Sequence, residues 1–134
     1  MKTTLQPADW PRPRGYANGV AAQGRQVFVA GMIGWNAAQA FESDDLVDQV
    51  RQALRNVRAV LDEAGAGPQH IVRMTWYLVD RADYLARNRE IGAAYREVMG
   101  AHYEIAMSAV EVRGLMEARA KVEIEVTAVV PQAL

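Results

Sequence analysis

Cysteine is absent from all 134 residues. That excludes disulfides, thiolate metal sites and a cysteine nucleophile, and it suits a reducing compartment. Histidine is scarce: His70 and His102 stand far apart with no carboxylate at co-ligand spacing, so no metal is expected. No apolar run approaches a membrane span, and the opening MKTTLQPADWPRPRG lacks the apolar core of a signal peptide. The expected location is the cytoplasm, with no membrane partner. Basic runs are missing as well. Fifteen Lys and Arg against sixteen Asp and Glu leave a formal charge of -1, which speaks against a nucleic-acid partner.

What is there describes one globular domain over residues 1–134, with 51% hydrophobic and 23% charged residues around a single core. Three of the five prolines fall within residues 1–15, a segment expected to run extended over the surface. Tyr16 to Ala22 and Arg25 to Ile33 read as strands joined by a tight turn at Gln23-Gly24, where glycine permits a positive φ. Phe28 between Val27 and Val29 suggests a strand covered on both faces, at least along part of its length. After a loop from Gly34 to Glu42, Ser43 offers an N-cap hydroxyl, and Asp44, Asp45 and Asp48 suit the positive end of a helix dipole. Leu46, Val50, Ala53, Leu54, Val57, Val60, Leu61 and Ala64 then recur at helical spacing, and Gly65 is the natural stop.

Ile71 to Val79 is a β-rich run in which Trp76 and Tyr77 read as core or interface aromatics. Asp80 can cap a second helix with Tyr84, Leu85, Ile91, Ala94, Tyr95 and Val98 on its inner face, ended by Gly100. Two strands follow, Met107 to Val112 and Ala120 to Val129, joined by a turn near residues 114–118. The order is β-β-α-β-α-β-β, an α+β fold. Two amphipathic helices cannot cover both faces of such a sheet, so they are expected to share one face of a mixed sheet and leave the other for a partner. In the last strand Val122, Ile124, Val126 and Ala128 alternate with Lys121, Glu123, Glu125 and Thr127. Its carboxylates therefore face either water or a wet pocket between subunits.

Several segments, in this order, resemble the RidA/YjgF family. They are Gly15-Tyr16-Ala17-Asn18-Gly19-Val20, Val29-Ala30-Gly31-Met32-Ile33, the helix Gln49 to Ala64, Ser108-Ala109-Val110-Glu111-Val112 and Lys121-Val122-Glu123-Ile124-Glu125. The similarity runs from Gly15 to Val130. It implies a chorismate-mutase-like fold and a homotrimer with a barrel-like core, binding small molecules in clefts between subunits. It also implies hydrolysis of enamine and imine intermediates to keto acids and ammonia, with neither metal nor organic cofactor. In that family an arginine grips the substrate carboxylate and a glutamate on the last strand helps to hold the attacking water.

Carried across, the arginine position falls on Met107, a soft apolar side chain that cannot make a bidentate pair with a carboxylate. The water-holding glutamate is matched by Glu123, the expected catalytic residue. Tyr16 matches a tyrosine over the pocket mouth, while Gly31 and Ala109 match positions where the main chain meets the ligand. Asn88 matches an asparagine of the second helix. From its place after Gly31, Trp35 is expected to line the pocket and, with Met107, to favour an aromatic or extended apolar substrate. Arg113 and Arg119 could in principle reach the cleft instead, but both lie near the turn after the strand, where exposed surface is the expectation for each. Two readings stay open: a deaminase with altered substrate range, or a trimer that binds a small metabolite without turning it over.

Overall fold

A computed structural model describes residues 2–132 of the chain. Strands β1 (Lys2–Leu5), β2 (Gly19–Ala22) and β3 (Arg25–Ile33) precede helix α1 (Leu46–Glu63). β4 (Ile71–Leu78) leads into α2 (Arg81–Ala86) and α3 (Asn88–Met99), and β5 (Ala106–Glu111) and β6 (Val122–Val130) close the chain. Four strands make one mixed sheet in the order β3-β6-β4-β5, with β4 and β5 parallel and the other pairs antiparallel. The α+β class and the sharing of one sheet face by the two main helices are as the periodicity requires.

α1 carries its apolar residues on one stripe, and Val50, Ala53, Leu54, Val57 and Leu61 are fully buried against the sheet. From the sheet side Met74, Val122, Ile124 and Val126 meet them, and Ile91, Ala94 and Val98 of α3 complete the core. Each large side chain so buried stabilises by about 2 kcal/mol. The cap of α1 is Asp45 rather than the expected Ser43. The Asp45 carboxylate accepts from the backbone N–H groups of Val47 and Asp48 at 3.1 and 3.2 Å, and Ser43 Oγ accepts from Asp45 N–H at 3.0 Å. An ionised cap gains from the helix dipole as well as from the hydrogen bonds, so the carboxylate takes the inner position. Gly65 does end the helix, at φ 66°.

Four expectations are corrected. β2 and β3 do not form a hairpin: β2 pairs with β1, and β3 pairs with β6 from Arg25↔Val130 onward. Gly24 does turn the chain with positive φ, but the turn passes it from one sheet to the other. The N-terminal segment is therefore not merely extended. Residues 2–5 form a strand, held by Lys2 Nζ donating to the carbonyls of Ile71 and Glu104 at 2.9 and 3.0 Å. The final two strands are not neighbours either, because β6 inserts between β3 and β4 while β5 pairs with β4 alone. The second helix is broken at Arg87 (φ −117°, ψ 24°), whose guanidinium bonds both Asp45 and Glu90. The break shifts the phase of α2, so Leu85 stands exposed instead of facing the core.

β6 alternates as expected, Val122, Ile124, Val126 and Ala128 buried and the residues between them on the open face. That open face has no cover among the described residues. Phe28, expected to be covered on both sides, is 71% exposed there. No helix among the described residues is long and apolar enough to cross a membrane.

Candidate functional site

A cavity of about 660 Å³ lies on the helix side of the sheet along the edge of β5. Backbone hydrogen bonding builds it. Ala17 N–H donates to Ile105 O at 2.8 Å and Ala17 forms a parallel bridge with Ala106, which lays residues 14–17 beside β5. This places Arg14, Gly15 and Tyr16 on one wall. On β5, Met107 and Ala109 register with Met74 and Trp76 of β4 and so share the face that carries the core. α3 supplies the opposite wall through Asn88, Ile91, Gly92, Tyr95 and Arg96, a stripe at helical spacing. Tyr16, Asn88, Met107 and Ala109 are thus brought together.

The lining is aromatic. Trp76 meets Tyr84 edge-on with centroids 6.2 Å apart, and Tyr95 stacks on Tyr103 at 5.7 Å. Burial pushes the phenols of Tyr84 and Tyr95 above their ordinary pKa, so both stay protonated. Tyr95 Oη donates to His102 O at 2.8 Å. The indole N–H of Trp76 is buried with no acceptor among the described residues.

Glu123 and Gly31 sit elsewhere. Glu123 lies on the open face of β6, in register with Ile33 and Tyr77. Gly31 occupies the irregularity of β3 between Val29 and Met32, where a Cβ would fall 2.0 Å from Glu123 Oε2. The absent side chain is what lets this carboxylate lie against the β3 main chain. Two other strand-borne acids are occupied. Glu125 accepts from Tyr77 Oη at 3.0 Å, which raises the tyrosine pKa, and Glu111 accepts from Arg81 N–H at 2.7 Å.

Trp35 lies outside the cavity, 6.0 Å from Phe41, with its carbonyl accepting from Asn56 Nδ2 at 2.7 Å. Arg113 and Arg119 do not line the cavity, in keeping with the surface positions expected for them. Arg119 stacks on Phe41 and pairs with Asp44 at 3.0 Å, and Arg113 is exposed in the following loop. The cations that do line it are Arg14 and Arg96, neither of which the sequence singled out. Helical spacing from Asn88 held the signal for Arg96, whereas nothing local marked Arg14. Among the described residues no three of His, Asp and Glu converge as a metal site.

An α+β domain with an aromatic cavity at a sheet edge and an unpartnered opposite face is the class these observations define. The family model described as endoribonuclease L-PSP matches residues 10–130. A RutC family protein of Synechocystis is 33% identical over 129 residues, 95% of each chain. Another, from Pyrococcus horikoshii, is 31% identical over 71% of this chain and 75% of its own. Among solved structures, YyfB of Yersinia pestis, a Rid-family protein of unknown function, has 31% identity and a TM-score of 0.80 over 96% of this chain and 98% of that one. This chain belongs to the RidA/YjgF family.

Proposed function

We propose that the protein hydrolyses enamine or imine intermediates, releasing ammonia, in clefts shared between the subunits of a homotrimer. The observation that carries this is the division of the site within one chain. Tyr16, Asn88, Met107 and Ala109 gather at the β5 edge on the helix side, while Glu123 and Gly31 lie on or next to the open face. β6 is two strand spacings from β5, roughly 10 Å, with the sheet between the two half-sites. A single copy therefore cannot close them on one small molecule. A second copy whose open face packs against the β5 edge of the first brings its Glu123 to the mouth of the first copy's cavity, and its own Phe28 is covered there.

In that cleft water adds to the C=N carbon while Glu123 holds it and takes its proton. Glu123 returns that proton to the nitrogen and then relays the proton of the new hydroxyl as well, so that the carbonyl forms as ammonia leaves. The resemblance puts Met107 where relatives hold the carboxylate with arginine, and this favours a second reading, a trimer that binds a metabolite without turning it over. Nucleic-acid cleavage, which the family description names, finds little support in a chain of formal charge -1 without a basic run.

The test is subunit complementation. Glu123→Ala and Ala109→Trp each disable one half-site. When the two variants are unfolded and refolded together, mixed trimers regain imine hydrolysis at those clefts that pair the intact cavity of a Glu123→Ala copy with the intact Glu123 of an Ala109→Trp copy. Two inactive variants that stay inactive on mixing refute a shared cleft. Activity retained by Glu123→Ala refutes the role of the carboxylate, and light scattering at the mass of one chain refutes the trimer.

A further inference from the structure

We infer that the cavity at the β5 edge takes a carboxylate with an aromatic or extended apolar body, its charge met by Arg14 and Arg96. The inference rests on the reading of this cavity as the ligand-holding half of the cleft, and it names the substrate class for that half.

Charge is the first ground. Among the described residues two guanidinium groups line the cavity, and no Asp or Glu does. Neither guanidinium has an ion pair or side-chain hydrogen bond among the described residues, whereas Arg51, Arg55, Arg87 and Arg119 are all paired with carboxylates. Even with Glu123 of a neighbouring copy at the mouth, two cations would face one anion. A ligand anion completes that balance, and guanidinium groups suit a carboxylate through paired N–H donors.

The second ground is independent of charge. Trp76 is 96% buried by its 4% exposure, forms part of the cavity wall, and has an indole N–H without an acceptor. Buried donors are ordinarily satisfied, so an orphan in a cavity wall points to an acceptor that arrives with a ligand. The Asn88 amide and the Ser108 hydroxyl are likewise without protein partners among the described residues, and both line the same space.

The body of the ligand follows from the rest of the wall. Tyr84, Tyr95 and Tyr103 present rings, and Met107 and Ile91 add apolar surface. A cavity of about 660 Å³ is of the size that encloses ring-bearing molecules, and a three-carbon acid would leave most of it empty. The two cations also differ in mounting. Arg96 rides on α3, while Arg14 follows Pro13 on the segment that Ala17 ties to β5.

Calorimetry with phenylpyruvate, pyruvate and phenylacetamide separates charge from body. Phenylpyruvate should bind, with the other two at least about tenfold weaker. Arg14→Gln and Arg96→Gln should each weaken phenylpyruvate by about tenfold and leave phenylacetamide unchanged. The indole N–H resonance of Trp76 should move during the phenylpyruvate titration. Equal binding of amide and acid, unchanged binding in the Arg14→Gln/Arg96→Gln double variant, or no binding by any of the three overturns the inference. Glu123→Ala keeps the two readings apart. If that variant stays fully active while the arginine variants lose phenylpyruvate, hydrolysis by Glu123 fails and the ligand class stands. If it loses turnover while the arginine variants bind unchanged, the reverse holds.

Discussion

Glu123 occupies the space that any side chain at Gly31 would need: a Cβ on Gly31 would lie 2.0 Å from Glu123 Oε2 and 2.7 Å from its carboxyl carbon. The two residues belong to adjacent strands, and their contact is made by the tip of a flexible side chain against main chain. Alanine at position 31 would therefore displace the carboxylate without breaking the sheet.

Gly31→Ala is accordingly expected to reduce imine hydrolysis by about tenfold or more while lowering stability by less than about 1 kcal/mol. Steady-state rates and urea unfolding of the same preparation check both halves. Combined with Glu123→Ala it should add nothing further, because the two act on one group. An unchanged rate would detach this contact from the chemistry.

Met107→Arg should raise the hydrolysis of small 2-imino acids, generated in place by an amino-acid oxidase, by about tenfold or more. Without that change the rate on such acids is expected to be low, because β5 offers no cation at Met107 and a small body touches little of the aromatic wall. If the arginine variant folds and assembles yet stays inert on these acids, the cavity differs from that of its relatives at more than one position.

Gln49 is the one buried polar side chain among the described residues outside this chemistry, at 1% exposure. Its Nε2 donates to the carbonyls of Ser43 and Arg119, both at 3.0 Å, and its Oε1 accepts from Lys121 N–H at 2.8 Å. It ties the start of α1 to the approach to β6. Gln49→Leu would strand three backbone groups and should destabilise by about 3 kcal/mol. A shift in the urea midpoint at unchanged slope is the readout.

Arg87 links the cap of α1 to the first turn of α3, and it holds the carboxyls of both Asp45 and Glu90 below their ordinary range. Depressed carboxylates contribute stability that is present above their unfolded pKa values, 3.8 and 4.5, and is lost as pH falls through the lower folded values. Urea midpoints of the native chain and Arg87→Met should therefore differ near neutrality and converge below pH ~4. A gap that stays constant down to pH ~2 would show that Arg87 acts through packing rather than through these charges.

Much of this architecture was legible in one dimension. The stripe of α1, its stop at Gly65, the alternation of β6 and the opening of α2 at Asp80 each depend on neighbours within a few residues, and period and capping chemistry report them directly. The order of the motifs also carried the family. Strand partners were not legible. The Gln23-Gly24 turn specifies a reversal of the chain, but whether β2 or β6 then bonds to β3 depends on residues a hundred positions away. The same holds for the cavity. Arg14 and Arg96 are remote in sequence, and only the bridge from Ala17 to Ala106 and the packing of α3 bring them to one space. Local propensity acts through bonds between near neighbours, whereas register and burial are settled when distant backbone groups find hydrogen-bond partners around a shared core.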